Sequence, residues 1–227
     1  MAKPIVLSVG GSIFNPNEFN YSFISNLKKT LSKLAKERKI IVVIGGGKTA
    51  RNYITPLRKK GLKENKSSLI GIAVTRLNAR LFAMFFGDIA SQHVAGDMKE
   101  VKNLLLKNKI VFCGGLRFVP DNTSDGTAAA LANYFGCEFI NMTNVKGLYT
   151  KDPKKFKDAK FISKISFKEF DRVVSSLKYE AGQHFVLDQH ASKIIKKYKI
   201  KTYIIGPNLK NLENLINGNK FTGTIIW

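Results

Sequence analysis

Residues 40–51 read IIVVIGGGKTAR: a β-branched apolar run from Ile40 to Ile44, the glycines Gly45, Gly46 and Gly47, then Lys48 and Arg51 at the head of a helical pattern. Strand, glycine turn and helix, in that order, present backbone N–H groups and the positive end of a helix to a phosphate. The spacing is neither the nucleotide-binding lysine loop, with four residues between its glycines, nor the dinucleotide fingerprint. A strand-to-helix turn that merely needs small residues is the alternative reading.

Working outward, the same arrangement recurs. Lys3 to Val9 reads as a strand running into Gly10-Gly11-Ser12, and Lys109 to Cys113 as another ending in Gly114-Gly115. Between the first two strands, Tyr21 to Arg38 carries Phe23, Ile24, Leu27, Leu31, Leu34 and Ala35 at helical recurrence, which makes a βαβ crossover. Thr49 to Lys60 continues as a helix. Ser67 to Phe86 is a longer one, with Ile70, Ala73, Val74, Leu77, Leu81 and Met84 as its apolar stripe, and Arg76 and Arg80 on one face, a solvated surface pair by default with a ligand role as the alternative. A helix from Asp97 to Lys107 and another after Thr123-Ser124-Asp125-Gly126 follow, the latter opening on residues of N-cap type. Glu138 to Met142 is a fourth strand.

From Thr143 the pattern changes to a turn-rich loop ending at Pro153. Beyond it lie a small strand over Phe161 to Lys164, helices over Phe167 to Leu177 and Phe185 to Tyr198, a strand over Ile200 to Ile205, a helix over Asn208 to Ile216, and a terminal edge strand from Gly223 to Trp227. Alternating strands and helices predict an α/β fold with a mainly parallel sheet, and ligands of such sheets sit beyond the C-terminal strand ends. No internal repeat is present. The expected organisation is one domain over 1–227 with a seam near Thr143.

Composition narrows the function classes. The chain has 227 residues, 44% of them hydrophobic, which excludes disorder. Lys plus Arg number 38 against 16 acidic residues, a formal +22, so polyanions are attracted. The lysines are spread over every segment rather than gathered in one stripe, and aromatics are not interleaved as a stacking platform, so nucleic acid is not the expected partner. Cys113 and Cys137 lack ligand spacing and read as buried free thiols, which fits a reducing cytosol and no metal site. No leader and no apolar run of membrane-spanning length are evident.

Taken as an ordered set, Gly10-Gly11-Ser12, Gly45-Gly46-Gly47-Lys48 with Arg51, Thr75-Arg76 with Asn78-Ala79, Thr123-Ser124-Asp125, and Thr143-Asn144-Val145 with Gly147, Tyr149, Asp152 and Pro153 resemble the amino acid kinase family, in the pattern of its archaeal-type uridylate kinases. The likeness extends to the stretch from Ala191 to Gly206. It implies a three-layer αβα sandwich with a mainly parallel central sheet, residues 1–142 holding mainly the acceptor and 143–227 mainly ATP. It also implies γ-phosphoryl transfer from Mg-ATP to UMP, with Mg2+ arriving on ATP, and a homo-oligomer, a hexamer in uridylate kinases. Lys48, Asp125 and Gly11 are the catalytic residues so implied. Gly45, Gly46, Arg51, Ser68, Leu116, Thr123 and Ser124 are implied for UMP, and Gly10, Gly11, Ser12, Gly47, Thr143, Asn144, Val145, Gly147, Tyr149 and Asp152 for ATP.

The chain also departs from the pattern. Ser8 stands where a lysine often precedes the glycine pair, a lysine that archaeal members commonly lack. Ser68 replaces the aspartate that holds the acceptor ribose, and Lys146 replaces that of the Val-Asp-Gly turn. The loop before Asp125 is longer than the archaeal pattern and offers Arg117 as an extra phosphate ligand. Gln183-His184 stands where small hydroxyl residues are expected, and His184 and His190 read as surface or packing residues. Readings left open are a family enzyme with another acceptor (a small phosphate, a carbamate or a carboxylate), a nucleotide-binding or storage protein without turnover, and a regulator that uses the +22 charge to hold nucleic acid.

Overall fold

The computed structural model describes residues 3–15, 17–116, 123–176 and 186–227. Strands β1 (Ile5–Val9) and β2 (Ile40–Ile44) pair in parallel with Val9 beside Ile44, joined by helix α2 (Tyr21–Leu34). All five β2 side chains are buried, as a strand covered on both faces requires. β3 (Ile110–Cys113) adds in parallel outside β2, and β4 (Phe139–Met142) and then β8 (Thr202–Ile205) add on the other side of β1. β9 (Thr224–Ile226) runs antiparallel to β8, and β7 (Lys164–Ile165) pairs in parallel with β9, giving the order β3-β2-β1-β4-β8-β9-β7. A separate hairpin joins β5 (Leu148–Tyr149) and β6 (Phe161–Ile162).

Alternate side chains along each strand enter two apolar cores. Leu7, Val42 and Phe112 meet α2, α4 (Glu64–Phe86) and α9 (Leu209–Ile216) on one face. Val6, Ile41, Val43 and Val111 meet α5 (Met98–Lys107), α6 (Ser124–Phe135), α7 (Phe167–Ser176) and α8 (Gln189–Tyr198) on the other. The result is the expected αβα sandwich. Parallel strands require crossovers, so every such connection returns a helix to one face or the other. Two further helices, α1 (Gly11–Phe14) and α3 (Gly47–Lys59), leave directly from the glycine turns.

Several expectations are corrected. The C-terminal strand is not at the edge, because β7 lies outside β9. Ser12 lies within a one-turn helix rather than a plain turn. The helix expected from Phe185 begins at Gln189 among the described residues. On α4 the predicted stripe points mostly outward: Ile70, Leu77, Leu81 and Met84 are exposed, and of that stripe only Val74 is buried. The inward face is instead Val74, Thr75, Asn78, Ala79, Phe82, Ala83 and Phe86. A segment long and apolar enough to cross a membrane also exists, Lys66–Ile89, contrary to expectation. Length and composition alone qualify it. Its inner face packs on β2 and β3 as a core helix, with Phe82 and Phe86 against Phe112 at ring-centroid distances of 5.8 and 4.7 Å.

Candidate functional site

The C-terminal ends of β1, β2, β3 and β4 lie side by side, so the glycines that follow them meet. Gly10 donates its N–H to the Met142 carbonyl at 3.0 Å and Gly45 donates to that of Val9 at 3.0 Å. The first two turns then touch backbone to backbone. A Cβ on Gly11 would lie 2.0 Å from the Gly47 nitrogen, and one on Gly45 would lie 2.7 Å from the Gly11 nitrogen. Gly47 also holds φ +62°, a region that L side chains avoid. Convergence of two turns, beyond the needs of either alone, thus explains the small residues. Asn15 adds a tie between α1 and α3, donating to the Thr49 hydroxyl at 2.8 Å.

Helix termini around this point are unequal. Asn20, Asp97, Thr123, Asp188 and Asn208 cap α2, α5, α6, α8 and α9 with side-chain oxygens. The Gly46 cap of α3 supplies no side chain, and the first turn of α3 has no acidic residue. The N–H groups there are available to an anion, with the positive end of a 13-residue helix behind them. Lys48 is half-buried and its Nζ donates to Asn17 Oδ1 at 2.9 Å. Arg51, one turn on, is exposed and has no hydrogen-bond or ion-pair partner among the described residues.

The polar residues on the inner face of α4 hold these turns. Asn78 Nδ2 donates to the carbonyls of Gly45 at 2.9 Å and Gly46 at 3.3 Å. Thr75 Oγ1 accepts from Gly115 N at 2.8 Å, and a Cβ on Gly114 would lie 2.5 Å from the Thr75 carbonyl carbon. Arg76 is a structural clamp, contrary to its reading as half of a solvated pair. Its Nε donates to the Gly115 carbonyl at 2.8 Å, and its Nη2 to those of Leu116 and, at 3.3 Å, Gly96. Arg80 is exposed as expected. Leu116, expected at the acceptor, is instead buried in the core and its carbonyl is held by Arg76. Ser68 is half-buried on α4, two turns before Thr75. Arg117 and the loop 117–122, like Gln183 and His184, lie outside the described residues; His190 is partly buried in the first turn of α8.

A carboxylate cluster faces the same strand ends. Asp125, in the first turn of α6 and partly buried, accepts a hydrogen bond from Ser8 Oγ at 3.0 Å. Burial and, secondarily, the charge of Asp188 push Asp125 up to about 7, against the lowering effect of the Ser8 hydroxyl. Ser8, in place of a lysine, therefore still contacts the aspartate. The α6 cap is Thr123, whose Oγ1 accepts from Gly126 N at 3.0 Å. The same hydroxyl donates to Asp188, whose other oxygen accepts from Ala191 N at 2.8 Å. Thr123 thus joins the starts of α6 and α8, and its hydroxyl is occupied. Ser124 follows, partly buried. Asp188 is a site residue that the sequence reading missed; an aspartate immediately before an amphipathic helix was the available signal.

The loop after β4 forms the other flank. Thr143 is anchored by its N–H to the Ile205 carbonyl at 2.9 Å, and Thr143, Asn144 and Val145 are partly buried. A Cβ on Gly206 would come within 3.3 Å of the Val145 carbonyl oxygen, and one on Gly147 within 2.7 Å of Thr224 Oγ1. That hydroxyl accepts from Leu148 N at 2.8 Å, so the small residues here also serve close packing. Lys146 is exposed. Tyr149 packs edge-on against Phe161 with centroids 5.4 Å apart yet stays partly exposed. Asp152 is spent on a local turn, accepting from Lys154 N at 2.9 Å. Among the described residues no group of three acidic, His or Cys side chains could hold a metal ion.

Comparison with known proteins places this geometry in a lineage. The family model "Amino acid kinase family" matches residues 3–206. A uridylate kinase of Methanobrevibacter smithii is 37% identical over 224 residues, covering 98% of each chain. One of Archaeoglobus fulgidus is 38% identical over 223 residues, covering 98% of this chain and 99% of the relative. The crystal structure of uridylate kinase from Archaeoglobus fulgidus superposes with a TM-score of 0.85, covering 99% of this chain and all of that one. A UMP kinase structure from Bacillus anthracis, at 19% identity and a TM-score of 0.80, shares the fold. With the family match spanning nearly the whole sheet and the two converging glycine turns inside it, the chain belongs to the amino acid kinase family.

Proposed function

We propose that this protein is a uridylate kinase that transfers the γ-phosphoryl group of Mg-ATP to UMP, giving UDP and ADP. The observation that carries the reading is the junction of two glycine turns at the uncapped N-terminus of α3, with Lys48 and Arg51 on its first turns and Asp125 across the strand ends. The full-length likeness to archaeal uridylate kinases supports UMP as the acceptor.

In the transfer, an oxygen of the UMP phosphate forms a bond to the γ-phosphorus as the bond from that phosphorus to the β,γ-bridging oxygen breaks, leaving the electron pair on ADP. The acceptor is already ionised, so no general base is required, and the protein contributes positioning and charge. Mg2+ enters on the triphosphate as part of the substrate. Gly11, Ser12 and Gly47 line the transfer point with backbone N–H groups, and Gly10, whose own N–H is spent on Met142, sets the turn that brings them there. Gly46, with Arg51, grips the UMP phosphate, the guanidinium fork taking two oxygens, and Gly45, tied to Val9 and Asn78, fixes the turn beneath it. Lys48 exchanges Asn17 for a transferring oxygen, and Asp125 orients these cations. Ser68 and Ser124 border the nucleoside of UMP. The segment from Thr143 to Asp152 receives adenine and ribose, with Tyr149 offering a ring face. In this reading residues 1–142 are mainly the acceptor half and 143–227 mainly the ATP half. The two free thiols fit a reducing compartment.

ADP release from Mg-ATP, measured with UMP, dUMP, CMP, AMP, carbamate, acetylglutamate and isopentenyl phosphate, tests the reading. Turnover with UMP is expected; turnover confined to another acceptor, or none with any, overturns it. Arg51→Ala is expected to raise the KM for UMP about 10- to 100-fold, the range of one lost charge-assisted pair, while the KM for ATP changes little. Equal effects on both would remove Arg51 from the acceptor site.

The proposal includes self-association through α4. Leu69, Ile70, Leu77, Leu81 and Met84 leave an apolar stripe exposed along the outer face, at 47, 37, 63, 39 and 68%. Monomers seldom leave so continuous a patch in water. From residue 67 to 87 the only charges are Arg76, which is turned to the loop carbonyls, and Arg80. Two copies at +22 each meet least repulsion there, so a second copy related by a two-fold axis is the fitting occupant, and the hexamer is then a trimer of such dimers. Light scattering of Leu77→Lys should show loss of the dimer contact; an unchanged mass places the interface elsewhere.

A further inference from the structure

The sheet has a second feature, at the end away from the glycine turns. A cleft of about 610 Å³ opens at the N-terminal edges of β1, β4 and β8, where Ile5 and Ile140 form an apolar floor. Its volume is that of a small-molecule site. Lys3, Arg38, Lys199 and Lys201 line it, with Glu138 as the opposing carboxylate. Glu138 is already engaged, by Lys201 Nζ at 3.1 Å and by the Tyr203 hydroxyl at 3.0 Å. Lys3, Arg38 and Lys199 have no acidic partner among the described residues.

Helix C-termini argue for a plainer role, since α6, α8 and α9 end here and attract cations. The charge count decides between the two. Four cations less one carboxylate leave three positive charges. Three helix ends, worth roughly half a negative charge each, reduce that to about one and a half. The surplus matches the dianion of a phosphate monoester and falls well short of a triphosphate. Lys199 adds an independent observation. It is the only non-glycine residue at positive φ (51°) among the described residues, at a helix end where glycine or asparagine is usual, so the lysine is held there against backbone preference. Beside the cations, the exposed Tyr198 ring and the partly buried Ile5, Leu215 and Ile216 offer a surface to an uncharged body.

We propose that this cleft is a second ligand site, separate from the glycine turns, which binds a phosphate monoester carrying a planar or apolar body: the phosphate lies among Lys3, Arg38 and Lys199, and the body against Tyr198 and Leu215. A nucleoside monophosphate and a simple aryl phosphate share this chemistry, and glucose 6-phosphate lacks the planar body.

Calorimetric titration of the full chain with phenyl phosphate, AMP and glucose 6-phosphate tests the proposal. Phenyl phosphate should bind saturably. Arg38→Ala combined with Lys199→Gly should weaken it at least 10-fold, and Arg51→Ala should leave it unchanged. Tighter binding of AMP than of phenyl phosphate identifies the nucleotide as the source, and the reverse identifies the aryl body as sufficient. Binding of glucose 6-phosphate as strong as that of phenyl phosphate overturns the place given to Tyr198. Loss of binding in Arg51→Ala, no loss in the double variant, or no binding to the wild type overturns the site. Should the double variant fail to fold, Lys3→Gln provides the same comparison. None of these readouts depends on UMP turnover, so failure of the kinase reading and failure of this site are distinguishable.

Discussion

Asp125→Asn is expected to lower kcat at least ~100-fold, the scale of losing one preorganised charge from a closed site, while leaving the fold intact. The structure separates this from a capping effect, because the cap of α6 is Thr123 and asparagine can still accept from the Ser8 hydroxyl. Stability and activity should move in opposite directions. Asp125 sits at about 7 in the folded chain, above the free aspartate value of ~3.9. The folded state therefore binds this proton more tightly, and its stabilising effect is complete below pH ~4 and lost as pH rises through about 7. Thermal melts from pH 4 to 8 should show the wild type losing stability relative to Asp125→Asn across that window. A carboxylate role predicts the reverse for kcat/KM, a rise through about pH 7. The groups acting on Asp125 are the Asp188 charge and the Ser8 hydroxyl. Removing the charge in Asp188→Asn should shift the limb to lower pH, whereas the phosphate of UMP, which ionises near pH ~6, contributes equally in both proteins. Near-normal turnover in Asp125→Asn would reduce Asp125 to a helix-dipole residue.

The parallel core was legible because its residues obey one rule at a time. Ile40 to Ile44 is uniformly apolar and short, which only a strand covered on both faces satisfies, and the glycines after it mark where the chain must turn. The face of α4 was not legible for the opposite reason. That helix is apolar on two sides, and the side richer in large aliphatics is the one left outside. What turns the other side inward is Asn78 and Thr75, polar residues whose partners are backbone groups of glycine loops distant in sequence. A hydrophobic stripe holds no record of such partners. Arg76 was misread in the same way, since its acceptors are the carbonyls of Gly96, Gly115 and Leu116, distant in sequence. Asp188 was missed because its significance comes from Asp125, 63 positions earlier, brought close only when α6 and α8 pack.

The second large effect is expected from Gly11→Ala. The added methyl carbon would lie 2.0 Å from the Gly47 nitrogen, 2.3 Å from its Cα and 2.9 Å from the Gly46 carbonyl carbon. All three are backbone atoms, so no side-chain rotation relieves the clash; the two turns must separate by more than an ångström. Overpacking commonly costs ~1–3 kcal/mol, and a displacement of that size between reacting groups costs about 100-fold in rate. Gly11→Ala should therefore lose at least ~100-fold in kcat/KM for both substrates. Gly10→Ala grades the test, since its methyl would sit 3.2 Å from the Met142 carbonyl oxygen and needs only a small shift; a milder loss is expected. Gly61→Ala controls for general damage: nothing lies within 4 Å, but φ is +81°. It should lower the melting temperature through ~1–2 kcal/mol of left-handed strain with kcat/KM unchanged. Full activity in Gly11→Ala would mean that the turns can part without consequence, and the transfer point would then have to lie away from their junction.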